Sequence, residues 1–147
     1  MAKQKPEVSV RTYGIYSKWE SDAKDLPSFL ESTTRIPAEI DIEFGLMINI
    51  KGGKNLQINC CIDHPGIIDD HGNTRPPFRD VVYVKTNDWD FYLGDTIWEP
   101  IEDKLGSWRM TLELQGVIVA DKTFEVYRAA KPLRHQYRLL WVPGLLT

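Results

Sequence analysis

The chain has 147 residues, a formal net charge of −3, 42% hydrophobic residues and 27% charged residues. This length suits one domain with one hydrophobic core, and the composition excludes disordered, collagen-like and disulfide-scaffold proteins. The negative charge weighs against general nucleic-acid binding, which needs a basic face to neutralise phosphates. We therefore expect a globular domain without a nucleic-acid partner.

Neither end of the chain predicts a targeting or membrane segment. The start, MAKQKPEVSV, has two lysines but no apolar stretch after them. The longest apolar run, Leu139 to Leu146, is too short to span a bilayer and contains Pro143 and Gly144. Cys60 and Cys61 are adjacent in a predicted strand, where side chains point to opposite faces and cannot form a relaxed disulfide. We expect reduced thiols, a cytoplasmic location and no membrane contact.

The first third of the chain predicts two strands around an irregular segment. Residues 7–16 alternate with a period of two, and Gly14 marks a bulge or a close approach. Residues 17–32 break this period and favour a short helix or an ordered loop. After Pro37, alternate apolar residues predict one buried strand face: Ile40, Ile42, Phe44, Leu46, Ile48 and Ile50.

The middle of the chain predicts a hairpin, a long loop and further strands. Gly52-Gly53 turns the chain into a returning strand with Leu56, Ile58, Cys60 and Ile62 inward. Residues 63–77 are rich in Pro, Gly, Asp and Asn and form the longest predicted loop. Residues 79–86 predict a strand, and residues 87–98 predict a strand or a strand pair broken at Gly94.

Residues 106–126 carry the strongest hairpin signal. Trp108, Met110, Leu112 and Leu114 alternate with polar residues, and Gln115-Gly116 follows as a tight turn. In the next strand the apolar residues do not all fall on one face. This predicts either a bulge near Asp121-Lys122 or burial on both faces. Trp108 is expected in the core.

Many short strands with turns between them predict an all-β fold. We expect an immunoglobulin-like antiparallel β-sandwich over residues 1–126, followed by a basic and apolar C-terminal arm over residues 127–147. A small β-barrel is the alternative architecture.

Several motifs, over roughly residues 13–126, resemble a bacterial domain family of unknown function. They are Gly14-Ile15-Tyr16, Ile36-Pro37 with Glu43-Phe44-Gly45, the Pro65 to Gly72 loop, and Gly106-Ser107-Trp108 with Phe124-Glu125-Val126. The resemblance implies an immunoglobulin-like fold in bacteria and implies no activity. The basic arm lies outside it.

The densest group of possible metal ligands lies on the long loop: Asp63, His64, Asp69, Asp70 and His71. Carboxylates and imidazoles on one loop could hold a divalent ion, or an acid/base pair if the fold buries them. The same residue types also build polar turns, and we expect that role and no bound metal or cofactor.

Nucleophilic catalysis has weaker support. Cys60 and Cys61 lie in a predicted strand interior without an evident activating histidine. Gly52-Gly53-Lys54 lacks the spacing of a phosphate-binding loop. We therefore favour a protein that is not an enzyme.

Two sets of residues could contact a partner. The aromatic residues of segment 89–98 either fill the core or offer a contact surface: Trp89, Phe91, Tyr92 and Trp98. In the arm, the basic and aromatic residues could clamp an acidic partner, touch nucleic acid, serve as a swapped arm in a homodimer, or cover a sheet edge of their own domain: Arg128, Arg134, Tyr137, Arg138 and Trp141.

Together these features predict a non-catalytic cytoplasmic β-sandwich that acts through protein–protein interaction, either with another protein or with itself through the arm. The alternative is a metal-binding or small-ligand-binding protein, or an enzyme, built on the loop from Asp63 to His71.

Overall fold

The computed structural model describes residues 5–20 and 23–129, which form nine strands and one short 3-10 helix. In chain order these are β1 (Glu7–Tyr16), β2 (Phe29–Ser32), β3 (Arg35–Pro37), β4 (Glu43–Lys51), β5 (Gln57–Asp63), β6 (Phe78–Tyr83), β7 (Asp88–Thr96), the 3-10 helix Glu102–Lys104, β8 (Gly106–Leu114) and β9 (Val117–Tyr127). No helix in this part of the chain is long and apolar enough to cross a membrane.

The strands form two sheets, so the predicted sandwich is confirmed and the barrel alternative is wrong. One sheet has four strands in the order β2-β1-β4-β7, and the other has five in the order β3-β9-β8-β5-β6. All pairs are antiparallel except β3 with β9, which is parallel. This exception arises because the chain crosses from β2 in the first sheet to β3 in the second, and so enters beside β9 in the same direction.

The core lies between the sheets and follows the alternation in the sequence. Trp108, Phe44 and Phe124 are fully buried, with ring centroids 5.3 Å apart for Phe44 and Trp108 and 5.5 Å apart for Phe44 and Phe124. Because Phe44 comes from the four-stranded sheet and the other two from the five-stranded sheet, these rings join the two layers. The predicted core position of Trp108 is confirmed.

The strand predicted after Pro37 begins later than its apolar pattern. Asp41 adopts a positive φ of 76°, so the chain turns there and β4 starts at Glu43. Ile40 therefore lies outside the strand and is 38% exposed, whereas Ile48 and Ile50 are fully buried.

The hairpin of β8 and β9 is confirmed, but its bulge lies earlier than predicted. Leu112 pairs with Ala120 and Glu113 pairs with Ile118, which leaves Val119 as the extra residue. The bulge reverses the parity of β9, so Ala120 points into the core while Ile118 lies on the outer face of the sheet.

Two further segments depart in part from their predictions, since the strand 88–96 is not broken at Gly94 and residues 29–32 form a strand after a loop. Residues 88–96 form one continuous strand through Gly94, which stands opposite Gly45 on β4. Residues 17–20 and 23–28 carry no helix, and the chain then forms β2, which pairs with the end of β1. Glycine at position 45 permits the close pairing of β4 with β7, because an added Cβ would overlap the backbone of Leu93 and Gly94.

Candidate functional site

His64, a predicted metal candidate, anchors the long loop to the sandwich. It is 8% exposed, and its Nδ1 accepts a hydrogen bond from the Ile67 amide at 3.0 Å. The ring proton is therefore on Nε2, which donates to the Pro76 carbonyl at 3.1 Å. The ring also packs against Phe78, with centroids 4.9 Å apart. Both ring nitrogens are thus engaged by backbone groups.

The other predicted ligands of this loop form a turn. Asp69 Oδ1 accepts hydrogen bonds from the amides of His71 at 2.8 Å and Asn73 at 3.0 Å. These bonds to the charged form lower the pKa of Asp69. Asp63, Asp70 and His71 are exposed. Within residues 5–20 and 23–129, no group of three or more His, Cys, Asp or Glu side chains is placed to hold a metal ion.

The aromatic segment 89–98 divides between two faces of β7. Trp89 and Phe91 lie opposite Ile50 and Ile48, stack with centroids 5.2 Å apart, and pack against the core as half-buried rings. Tyr92 points to the other face but is only 3% exposed. Its side chain, predicted as a partner contact, therefore offers no open surface, because neighbouring rings cover it.

Tyr92 belongs to a buried polar cluster on the outer face of the four-stranded sheet, which the sequence did not reveal. Its ring makes edge contacts with Tyr16, at 4.8 Å between centroids, and with Trp19, at 5.2 Å. Beneath them Glu43 is 2% exposed and accepts hydrogen bonds from the hydroxyls of Tyr92 and Thr96. Burial raises the pKa of Glu43, and burial beside that carboxylate raises the pKa of Tyr92.

Lys104 is a second buried ionisable group that the sequence did not reveal. It is fully buried, and its Nζ donates to the Pro100 carbonyl at 2.9 Å and to the Asp103 carboxylate at 2.6 Å. The Nζ also lies 4.2 Å from the centroid of the Trp98 ring, a cation–π contact. Trp98 therefore covers a buried ammonium group, and the tryptophan itself is 36% exposed.

The predicted contact residues of the arm, Arg134, Tyr137, Arg138 and Trp141, lie outside the described residues. Of the arm, the structure describes residues 127–129. Arg128 forms an ion pair with Glu102, with 3.1 Å between Nη2 and Oε2.

An open groove lies on the outer face of the five-stranded sheet. It has a volume of about 510 Å³. Its floor and walls come from β5, β6, β8 and β9: Asn59, Cys61, Asp63, Arg79, Val81, Arg109, Thr111, Glu113 and Ile118. Val81 and Ile118 stand on opposite sides of the groove and are 49% and 50% exposed. Tyr83, two residues beyond Val81, is 59% exposed.

The two cysteines have different environments although they are adjacent. Cys60 points inward, and burial together with nearby Asp80 raises the pKa of its thiol to about 12. At neutral pH this thiol is protonated and unreactive. Cys61 is half-buried on the groove side. Both cysteines are free, as predicted from their adjacency.

Two of the edge strands, β6 and β7, carry charges that oppose strand addition. On edge strand β6, Asp80 stands opposite the buried Cys60. On edge strand β7, Asp95 stands opposite the buried Phe44, and burial raises the pKa of Asp95 to about 6. Carboxylates on the inward side of edge strands discourage pairing with a further strand.

The likeness to known proteins agrees with this architecture. A solved structure described as an immunoglobulin-like protein from Pseudomonas aeruginosa aligns with a TM-score of 0.70 and 21% sequence identity, covering 86% of this chain and 100% of that one. This confirms the predicted immunoglobulin-like fold. No curated protein matches the chain. A family described as "Domain of unknown function (DUF3859)" matches residues 4–126. The predicted resemblance is therefore confirmed, and the chain belongs to the DUF3859 family.

Proposed function

We propose that this protein is a non-catalytic domain that binds a protein partner through the outer face of its five-stranded sheet. The observation that carries the proposal is the set of apolar side chains beside the groove. Val81, Tyr83 and Ile118 are each about half exposed, at 49%, 59% and 50%. Exposed apolar groups gathered on one face favour a contact surface, because their burial against a partner releases water.

The groove floor supports a protein partner rather than a purely apolar ligand. Asn59 Nδ2 donates to Glu113 Oε1 at 3.3 Å, and Arg109 forms a two-point ion pair with Asp121, at 3.0 and 2.6 Å. These side chains are held in place before binding, so a partner would meet an ordered polar surface. Apolar contacts combined with a polar surround are typical of protein interfaces.

The β-bulge at Val119 supports the proposal, because it places Ile118 on the outer face of the sheet. Without the bulge at Val119, the period of two would place Ile118 on the same face as Ala120, which is 5% exposed in the core. The bulge brings Ile118 to the groove instead. Bulges often re-aim a side chain beside a functional surface.

The edge strands β6 and β7 favour binding through a sheet face over binding by strand addition at these two edges. Asp80 and Asp95 place carboxylates on the inward side of β6 and β7, where a pairing strand would bury them further. The expected cytoplasmic location and a role of the arm in partner binding stay predictions.

The test compares two double variants with matched exposure. In the face variant, Val81→Lys and Ile118→Lys add charge beside the groove; in the control, Leu30→Lys and Ile68→Lys change residues that are 56% and 49% exposed elsewhere. Each full-length protein is tagged in the cells that make it, and co-purified proteins are quantified by mass spectrometry. We expect a partner that the wild type and control enrich equally and the face variant loses at least tenfold. Equal enrichment by both variants, or no enriched partner for the wild type, would contradict the proposal.

A further inference from the structure

We propose that residues 130–138 of the same chain dock into a cleft at the end of the sandwich, between residues 38–42 and residues 99–102. This cleft is distinct from the groove on the five-stranded sheet. The inference therefore does not depend on the proposed function.

The cleft combines an apolar floor with an acidic rim. It has a volume of about 580 Å³ and is lined by Ile40, Pro100 and Ile101 together with Glu99 and Glu102. Ile40 is 38% exposed, so part of its side chain is open to an occupant of the cleft. An occupant of this cleft would need one apolar side chain and neighbouring positive charges.

The chain leaves the sandwich at this cleft. The carbonyl of Tyr127, the last residue of β9, accepts a hydrogen bond from the Ala38 amide at 2.8 Å, two residues before Ile40. Arg128 then pairs with Glu102 on the rim, at 3.1 Å. The described part of the chain therefore ends beside the cleft.

The segment that follows has the complementary chemistry. Residues 130–138 read AKPLRHQYR, with no acidic residue. Leu133 comes four residues after Ala129, a reach of up to about 14 Å for an extended chain. Lys131 and Arg134 flank Leu133, and among the described residues Glu99 has no ion-pair partner. Leu133 seated on Ile40 and Pro100 would place these cations beside the glutamates.

The short reach identifies the occupant as the chain's own arm. A tethered segment four residues away has a high effective concentration at the cleft, which favours docking within one molecule over docking from a second copy. Docking of the arm would remove the exposed apolar surface of Ile40, Pro100 and Ile101 from water.

The test measures amide hydrogen exchange in the full-length protein. Leu133→Asp puts a carboxylate against the acidic rim, and Leu145→Asp is the control with the same chemical change outside the docking segment. We expect the amides of Ile40, Ile101 and Glu102 to exchange at least tenfold faster in Leu133→Asp than in the wild type, and at the wild-type rate in the control. Unchanged exchange in Leu133→Asp, or equal acceleration in both variants, would overturn the proposal.

A dilution series separates the two possible sources of the arm. Docking within one molecule predicts a monomer by light scattering and exchange rates that do not depend on protein concentration. A dimer whose protection falls on dilution would overturn the proposal and assign the cleft to the arm of a second copy.

Discussion

The hydroxyl of Tyr92 on β7 donates a 2.5 Å hydrogen bond to the carboxylate of Glu43 on β4, under a cover of aromatic rings. Thr96 donates a second bond to the same carboxylate. The cluster therefore consists of hydrogen-bonded polar groups under aromatic rings on the outer face of the four-stranded sheet, and its carboxylate is shielded from water. Such a group makes stability depend on pH.

Replacing Glu43 with glutamine tests this dependence. Burial raises the pKa of Glu43 above its usual value of 4.5, so the folded protein holds this proton more tightly than the unfolded chain. The stability that the protonated group contributes is full below the unfolded pKa and is lost as the pH rises through the folded pKa. Glu43→Gln should therefore be more stable than the wild type near pH 7, and the difference in unfolding free energy should disappear at low pH.

The measurement is urea unfolding across the acid range, with Asp70→Asn as an exposed control that should follow the wild type. A stability difference between Glu43→Gln and the wild type that grows as the pH falls would contradict the assignment. Glu43→Ala should behave differently and lose about 2–3 kcal/mol, because the Tyr92 and Thr96 hydroxyls would lose their acceptor.

Asp95 gives a second titration with a defined midpoint. Burial raises the pKa of Asp95 to about 6, from a usual 3.8, so its stabilising protonated form is lost as the pH rises between these values. Asp95→Asn keeps the acceptor for the Thr96 amide and should add about 1–2 kcal/mol near pH 7. Carbon NMR of the Asp95 carboxyl checks the midpoint directly; titration near its usual value would show that the group is solvated.

His64 should act as an anchor for the loop. His64→Ala removes the acceptor of the Ile67 amide, the donor to Pro76 and the packing on Phe78, and should cost about 2–3 kcal/mol. The matched control is His71→Ala, since His71 is exposed and should change stability by less than about 0.5 kcal/mol. Thermal unfolding of both variants measures the two losses of stability. Equal losses would show that the His64 ring does not anchor the loop.

Gly45 should tolerate no side chain. An added Cβ would meet the backbone of Leu93 and Gly94 on the paired strand, which cannot move without breaking the sheet. Gly45→Ala should cost roughly 3 kcal/mol or more. Gly72→Ala is the comparison: Gly72 has a φ of 81° but open space around it, so only backbone strain of about 1 kcal/mol is expected. Similar losses for the two variants in chemical denaturation would contradict the close approach.

The sequence predicted the parts of this structure that depend on local alternation. The buried face of β4 and the turn at Gln115-Gly116 could be derived because period and turn chemistry act over a few residues. The burial of Glu43 could not be derived in this way, because the period of two places Glu43 on the outer face of β4. Only the tertiary packing of Tyr16 and Trp19 covers that face. The bulge at Val119 was misplaced for a related reason: several positions restore the parity of β9, and cross-strand packing selects one.

The candidate site was less predictable than the fold. The sequence pointed to Tyr92 as a contact residue, but strand pairing placed it under other rings. Val81 and Ile118 lie 37 positions apart in the chain and meet beside one groove only through the order of β6, β5, β8 and β9. No local pattern encodes that order.

The most direct test of the proposed function is photo-crosslinking in the cells that make the protein. A photoreactive amino acid is placed in turn at Tyr83, at Ile118 and, as a control, at Leu30 on the opposite sheet, which is 56% exposed. If the outer face of the five-stranded sheet binds a partner, the positions of Tyr83 and Ile118 should yield the same crosslinked protein and the position of Leu30 should not. Equal crosslinking from Leu30, or no crosslink from either Tyr83 or Ile118, would contradict binding through this face.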